Sequence, residues 1–314
     1  MPKLFSPRLP GTELVLFLVA LALLPHPALG KLNIVTTTTD LGSIAAEIAG
    51  DHANVTSIAK GYQDPHFVDA KPSFLVKLQK ADLFVLVGME LERAWVSNLL
   101  TNSRNRRIQK GAAGYVDASV GIFKLQIPST VDRSMGDIHP FGNPHYWLDP
   151  ANGGIIATNI AEGLKRVDPT HAAEYERNRE SFQAKLDAAL VRWEEEASRL
   201  KGLPVVAYHD SWPYFEQRFG LDTVAFVESR PGISPSGRYI AELVEKMKSQ
   251  RIGILLMTAF YSTKTAELIA RQSGAQVVTL GQSVGGVEGA DDYISLFDTN
   301  LQLLLQAVQS KAGR

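Results

Sequence analysis

The sequence predicts an α/β protein of two lobes, each a mainly parallel sheet flanked by helices, joined by one long helix. Short apolar segments alternate with helical segments in the first half of the chain, and the alternation restarts in the second half. Strands that are apolar throughout are typical of parallel sheets covered by helices on both faces. The longest helical pattern, 170–200, separates the halves and would extend roughly 45 Å, which is long enough to connect two lobes.

The individual elements follow from local composition. Predicted strands are rich in β-branched or other apolar residues, and predicted helices often begin near a capping residue or a proline. In order, the predicted strands are 31–39, 55–59, 81–87, 115–119, 205–207, 223–227, 253–257 and 276–280. The predicted helices are 41–49, 72–78, 91–100, 151–164, 170–200, 213–219, 236–249, 263–273 and 293–310.

Length and charge limit the possible classes of protein. The chain has 314 residues, 45% hydrophobic and 21% charged, which is the balance of a globular protein. Its net charge of −1 gives no basic surface for nucleic acid or an anionic membrane, so we exclude both as partners. We also expect a monomer. We predict an N-terminal lobe at 31–167, a linking helix at 168–202 and a C-terminal lobe at 203–314.

The first thirty residues have the pattern of a cleaved signal peptide. Lys3 and Arg8 precede an apolar stretch, 14–24, and small residues stand just before Lys31. That stretch is shorter than the roughly 20 residues needed to cross a bilayer. The sequence contains no cysteine, which excludes disulfides, thiolate metal ligands and a lipid-modified N-terminal cysteine. We therefore expect a periplasmic protein without a lipid anchor, and any metal ligands must be His, Asp or Glu.

Three histidines share a context that favours a metal site. His66 follows a Gly- and Pro-containing turn, His145 lies between two prolines, and His209 follows a short apolar strand. Proline restricts the backbone around it, so these segments are stiff. Ligands of parallel sheets lie beyond the carboxyl ends of the strands, where such residues would meet. His52 and His171 lie in polar surroundings and are not predicted to join them.

An ordered set of motifs resembles the cluster A-I metal-binding proteins of ABC importers, the zinc- and manganese-specific solute-binding family. The motifs are Asp64-Pro65-His66, Lys71-Pro72-Ser73, Asn143-Pro144-His145, Tyr208-His209-Asp210-Ser211 and Arg230-Pro231-Gly232-Ile233-Ser234-Pro235. The resemblance covers essentially all of 31–314. It implies two α/β lobes joined by one long helix, with the metal in the cleft between them. It also implies a non-enzymatic function: capture of a metal ion and delivery to the membrane subunit of a cognate ABC permease.

By this resemblance, His66, His145 and His209 are the metal ligands. Three imidazoles suit Zn²⁺, at about 2.0–2.1 Å, and leave one tetrahedral position open. Relatives with a carboxylate in place of the third histidine are more suited to Mn²⁺, so His209 favours Zn²⁺ over Mn²⁺ or Fe²⁺. The family usually supplies an aspartate after the strand that precedes the last helix, but the segment 280–286 contains no carboxylate. Water or Glu228 would complete the site, with Asp291 or Asp292 as further candidates.

Two weaker interpretations remain open from the sequence. Three histidines and a water also form hydrolytic zinc sites, with Glu228 or Asp210 as a possible general base, although the chain lacks a His-Glu-x-x-His motif. The predicted exposed loop 121–142 contains Asp132, Asp137 and His139, which could collect metal.

Overall fold

Two four-stranded parallel sheets organise the computed structural model, which describes residues 30–130 and 139–312. The first sheet has the order β2-β1-β3-β4 and contains β1 (Leu32–Thr36), β2 (Ala53–Ser57), β3 (Leu83–Leu86) and β4 (Tyr115–Asp117). The second has the order β6-β5-β7-β8 and contains β5 (Pro204–Ala207), β6 (Asp222–Phe226), β7 (Ile254–Thr258) and β8 (Gln276–Leu280). The predicted fold class is confirmed.

Helices flank these sheets and connect their strands. They are α1 (Thr39–Ala49), α2 (Pro72–Lys80), α3 (Val96–Ser103), α4 (Asn152–Val167), α5 (Ala172–Glu196), α6 (Pro213–Phe219), α7 (Gly237–Ser249), α8 (Thr263–Ser273) and α9 (Tyr293–Ala312). Within the described ranges, no helix is both long and apolar enough to cross a membrane. Residues 1–29 of the predicted signal peptide lie outside the described residues, as do Asp132 and Asp137.

The strand order places a crevice at one end of each sheet. Every residue of β3 and of β7 is buried, as expected for central strands covered on both faces. In the first sheet the chain passes from β1 outward to β2 and then returns across β1 to β3, and the second sheet repeats this path. Where strand order reverses in this way, the loops at the carboxyl ends separate and leave room for a ligand.

The long helix is confirmed, with a 3₁₀ turn at each end. Pro169–His171 precedes α5, and Ala197–Leu200 follows it. The apolar stripe of α5 is buried and consists of Tyr175, Phe182, Leu186, Ala189 and Trp193. These positions are three, four or seven residues apart, which places them on one face of the helix. The helix is therefore packed into the core along its length.

One hydrophobic cluster includes residues of both sheets, of α5 and of α9. Trp193 of α5 lies against Phe297 of α9, with ring centroids 5.3 Å apart. The Tyr293 hydroxyl at the start of α9 donates to the carbonyl oxygen of Trp147, at 2.6 Å. The C-terminal helix thus joins the two halves through a shared core, while the boundaries at 168 and 202 stay a proposal.

The predicted helix 91–100 is wrong at its start, because α3 begins only at Val96. The turn before it contains two non-glycine residues with left-handed backbone, Met89 at φ 52° and Glu90 at φ 64°. Buried Glu92 accepts hydrogen bonds from the backbone N–H groups of Val87 and Gly88, at 2.7 and 3.1 Å. These bonds hold a tight turn where the sequence pattern favours helix.

Candidate metal centre

The three predicted histidines meet beyond the carboxyl ends of the strands. His66 lies in the loop between β2 and α2, His145 directly precedes a 3₁₀ turn, and His209 follows β5. One ring nitrogen from each lies within 4.8 Å of the other two, and all three residues are buried. The centroid of the His66 ring is 5.2 Å from that of His145 and 5.8 Å from that of His209. The structure therefore brings together imidazoles that are distant in sequence.

Two of these histidines are held by the same local device. The Asp64 carboxylate accepts from the backbone N–H of His66 at 2.9 Å and lies 2.7 Å from its ring Nδ1. The Asn143 side-chain oxygen accepts from the backbone N–H of His145 at 3.0 Å and lies 2.9 Å from Nδ1. In each Asx-Pro-His segment, the first side chain thus fixes both the backbone and the imidazole two residues later.

The third histidine is held by a residue from a neighbouring strand end. Glu228 follows β6, and its Oε2 lies 2.8 Å from Nδ1 of His209. The same oxygen accepts from the backbone N–H of Gly232, at 3.1 Å. Glu228 therefore contacts the side of the imidazole that faces away from Nε2 and is not one of the three-histidine group. This placement favours an orienting role over the predicted role of fourth ligand.

These partners select one tautomer of each ring. Carboxylate and carbonyl oxygens only accept hydrogen bonds, so in the neutral imidazoles Nδ1 carries the proton and Nε2 keeps its lone pair. The Nε2 atoms of His66 and His145 are buried and have no hydrogen-bond partner. A buried nitrogen without a partner is costly unless something binds it. A metal ion would satisfy these atoms, and such oxygen partners are typical of metal-binding histidines.

The electrostatics favour the uncharged form of His145. Burial, followed by the nearby charges of His66, His209 and His139, lowers the pKa of His145 well below its usual value. Burial would raise the pKa of Asp64, but its hydrogen bond to His66 and the charge of that imidazole bring the pKa below the usual value. The site thus keeps a neutral imidazole beside an ionised carboxylate that can hold a histidine in place.

The remaining predicted candidates lie elsewhere. Asp291 and Asp292 are exposed, and Asp292 accepts from backbone N–H groups in the first turn of α9. Asp210 pairs with Gln126 at 3.3 Å, and burial raises the pKa of its carboxyl. His52 and His171 stack on each other, with ring centroids 3.9 Å apart, beside the start of α5. Their exclusion from the site agrees with the structure.

His139 adjoins the three-histidine group directly, and Gln282 is linked to the group through Trp147. The ring of His139 lies 5.3 Å from that of His66, and its Nδ1 is buried without a partner. Gln282, in the segment after β8, is 2% exposed, and neither polar atom of its side chain has a partner. The main-chain carbonyl oxygen of Gln282 accepts from Nε1 of Trp147, whose ring packs against His145.

Sequence reasoning missed the functions of Asp64 and Asn143. It treated Asp64-Pro65-His66 and Asn143-Pro144-His145 as stiff turns that present a histidine. The signal was the repetition itself, because a short side chain with an oxygen acceptor stands two residues before both His66 and His145. Such side chains readily bond to the backbone two residues on.

Comparisons with known proteins decide the family. Residues 34–307 match the ZnuA family, described as zinc-uptake complex component A, periplasmic. The chain belongs to the ZnuA family. Its members are extracytoplasmic metal-binding subunits of ABC transporters that work with permease components. They are not enzymes, which confirms the non-enzymatic prediction and removes the hydrolase interpretation.

Individual relatives of this ZnuA-family chain differ in the metal that they are named for. The manganese ABC transporter substrate-binding lipoprotein PsaA of Streptococcus pneumoniae serotype 4 is 27% identical over 95% of this chain and 98% of its own length. The iron-binding protein YfeA of Yersinia pestis is 29% identical over 89% of this chain and 87% of its own. The zinc-binding lipoprotein AdcA of the same Streptococcus strain is 27% identical over 90% of this chain and 57% of its own.

Solved structures confirm the architecture. A crystal structure of ZnuA superposes with a TM-score of 0.73 at 25% identity, covering 88% of this chain and 99% of that one. A zinc-bound ZnuA deletion mutant superposes with a TM-score of 0.74 at 26% identity, covering 88% and 98%. The fold and the family are therefore shared, whereas the metal has to be argued from the site.

Proposed function

We propose that this protein captures Zn²⁺ through His66, His145 and His209 and delivers it to the permease of a cognate ABC importer. The observation that carries the proposal is the donor set: three buried imidazoles, each fixed at Nδ1 by an oxygen. Because the fixed nitrogen faces away, each ring offers Nε2. No carboxylate belongs to this three-ligand group within the described ranges.

Ligand type favours zinc over the alternatives. Imidazole nitrogen suits Zn²⁺, whereas Mn²⁺ is better served by carboxylate, carbonyl and water oxygens. A site of three neutral nitrogens offers none of the oxygen ligands that Mn²⁺ prefers. In the usual order of affinity, Fe²⁺ binds such sites more weakly than Zn²⁺. Because some relatives are named for manganese or iron, preferential binding of either metal is the alternative outcome of the test.

The surroundings of the site support tight and specific binding. Asp64, Asn143 and Glu228 hold the rings before the metal arrives, so little ordering remains to be done on binding. We propose that the protein works in the periplasm, as the family description states. Several relatives are named lipoproteins. The absence of a lipid anchor therefore stays a prediction that membrane fractionation tests, and the monomeric state is a prediction that size analysis tests.

Calorimetric titration of the metal-stripped protein tests the proposal. We expect one equivalent of Zn²⁺ to bind tightly, with Mn²⁺ and Fe²⁺ binding much more weakly under matched conditions. His209→Ala should abolish tight zinc binding, whereas His171→Ala, which removes a histidine outside the site, should leave it unchanged. Preferential binding of Mn²⁺ or Fe²⁺, or zinc binding that survives the loss of His209, would contradict the assignment.

A further inference from the structure

His139 is a fourth imidazole at the site that neither the motifs nor the three-ligand group includes. Its ring centroid lies 5.3 Å from that of His66, which is as close as the 5.2 Å between His66 and His145. His145, in turn, is 5.8 Å from His209. By ring separation, His139 therefore lies as near to His66 as the three ligands lie to one another.

The hydrogen bonds of His139 leave one nitrogen ready to bind a metal. Its ring donates to the main-chain carbonyl of Glu90, while Nδ1 is buried and has no partner. The bond to Glu90 therefore engages Nε2, which must carry the proton, and Nδ1 keeps its lone pair. The other three rings are held at Nδ1 and present Nε2, so His139 uses the same principle with its nitrogens exchanged.

The carbonyl that holds His139 belongs to an unusual turn. Glu90 and its neighbour Met89 both have left-handed backbone, at φ 64° and 52°, which side-chain-bearing residues rarely adopt. Strained backbone of this kind persists where the surrounding structure enforces it, often at functional sites. Here buried Glu92 enforces it, through bonds from Val87, Gly88 and the hydroxyl of Thr37.

We infer that His139 is a fourth zinc ligand, which binds through Nδ1 and completes a site of four histidines. The inference rests on the proposed zinc function. His139 lies outside the group whose nitrogens are all within 4.8 Å, so its ring must move toward the ion on binding. A neutral fourth nitrogen would fill the tetrahedral position that is otherwise left to water. It would also account for the missing aspartate in the segment 280–286.

Gln282 is the competing occupant of the fourth position. It lies in the segment where the family usually supplies an aspartate, and its side-chain amide is buried without partners. An amide oxygen is, however, a weaker ligand for Zn²⁺ than imidazole nitrogen. The ring separation between His66 and His139 gives His139 direct geometric support. The two assignments differ in the atom bound to zinc, nitrogen against oxygen.

X-ray absorption at the zinc edge, combined with affinity measurements, tests the inference. For the zinc-loaded wild-type protein we expect four imidazole nitrogens at about 2.0–2.1 Å. His139→Ala and His139→Gln should each show three imidazoles and one oxygen. Both should bind zinc at least ~10-fold more weakly, because loss of a residue that only hydrogen-bonds to a metal ligand already weakens binding by about that factor. His171→Ala should match wild type in both measurements.

The outcomes separate this inference from the proposed function. Three imidazoles and one oxygen in wild type, or unchanged affinity in both His139 variants, would overturn the fourth-ligand assignment and leave the three-histidine site intact. Loss of affinity in Gln282→Ala together with an oxygen ligand in wild type would assign the position to Gln282 instead. Failure of wild type to bind zinc, or binding unaffected by His209→Ala, would overturn the proposed function itself.

Discussion

Replacing Glu228 tests whether this residue orients His209 or binds the metal directly. Its Oε2 lies 2.8 Å from Nδ1 of His209, and both side chains are about nine-tenths buried, at 9% and 10% exposure. Loss of such an outer partner typically weakens metal binding by about 10–100-fold. At 1.4 kcal/mol for each tenfold change, this corresponds to about 1.4–2.8 kcal/mol of binding free energy. We expect Glu228→Ala to fall in this range and His209→Ala to lose far more.

The conservative variant separates the two roles. In Glu228→Gln the amide oxygen can still accept from Nδ1, so an orienting residue should lose only part of the effect of alanine. Zinc affinity is measured by competition with a chromogenic chelator, with Glu242→Gln as the control because Glu242 is an exposed residue of α7. If Glu228→Gln is as damaging as His209→Ala, the carboxylate itself binds the metal and the orienting explanation is refuted.

Three further predictions concern pH, stability and the second Asx-Pro-His segment. Because burial holds the pKa of His145 below that of the unfolded chain, near 6.5, the unfolded state binds more protons below that pH. The free energy of unfolding of the metal-free protein should therefore fall on acidification below about pH 6.5, by up to about 1.4 kcal/mol per pH unit for this group. Urea titrations of His145→Gln should show a shallower fall than wild type, and equal slopes would contradict this. Tyr293→Phe leaves the carbonyl of Trp147 without its hydroxyl donor and should cost about 1–2 kcal/mol of unfolding free energy, with exposed Tyr62→Phe unchanged as the control. Asn143→Ala should weaken zinc binding by about 10–100-fold, measured with the same chelator, because it frees the ring and the backbone of His145; unchanged affinity would exclude the orienting role.

The regular elements were predictable because their signals are local. Wholly apolar strands such as β3 and β7, and the buried stripe of α5, are visible in short windows of sequence. The error at the start of α3 has a nonlocal cause. Glu92 bonds to the hydroxyl of Thr37 in the loop after β1, a contact that sequence periodicity does not reveal.

The site was predictable in part for the same reason. The prolines and strand ends around His66 and His145 mark them locally, whereas the partner of His209 lies nineteen residues away at the end of another strand. The placement of His139 depends on the left-handed turn at Glu90, which no residue type in that segment signals. Tertiary contacts therefore decide which side chains orient the ligands.

Anomalous diffraction from crystals of the zinc-loaded protein tests the central claim most directly. We expect a single strong zinc peak bonded to the Nε2 atoms of His66, His145 and His209, at about 2.0–2.1 Å. A peak located elsewhere, or bonds made through Nδ1 of these three rings, would contradict the account.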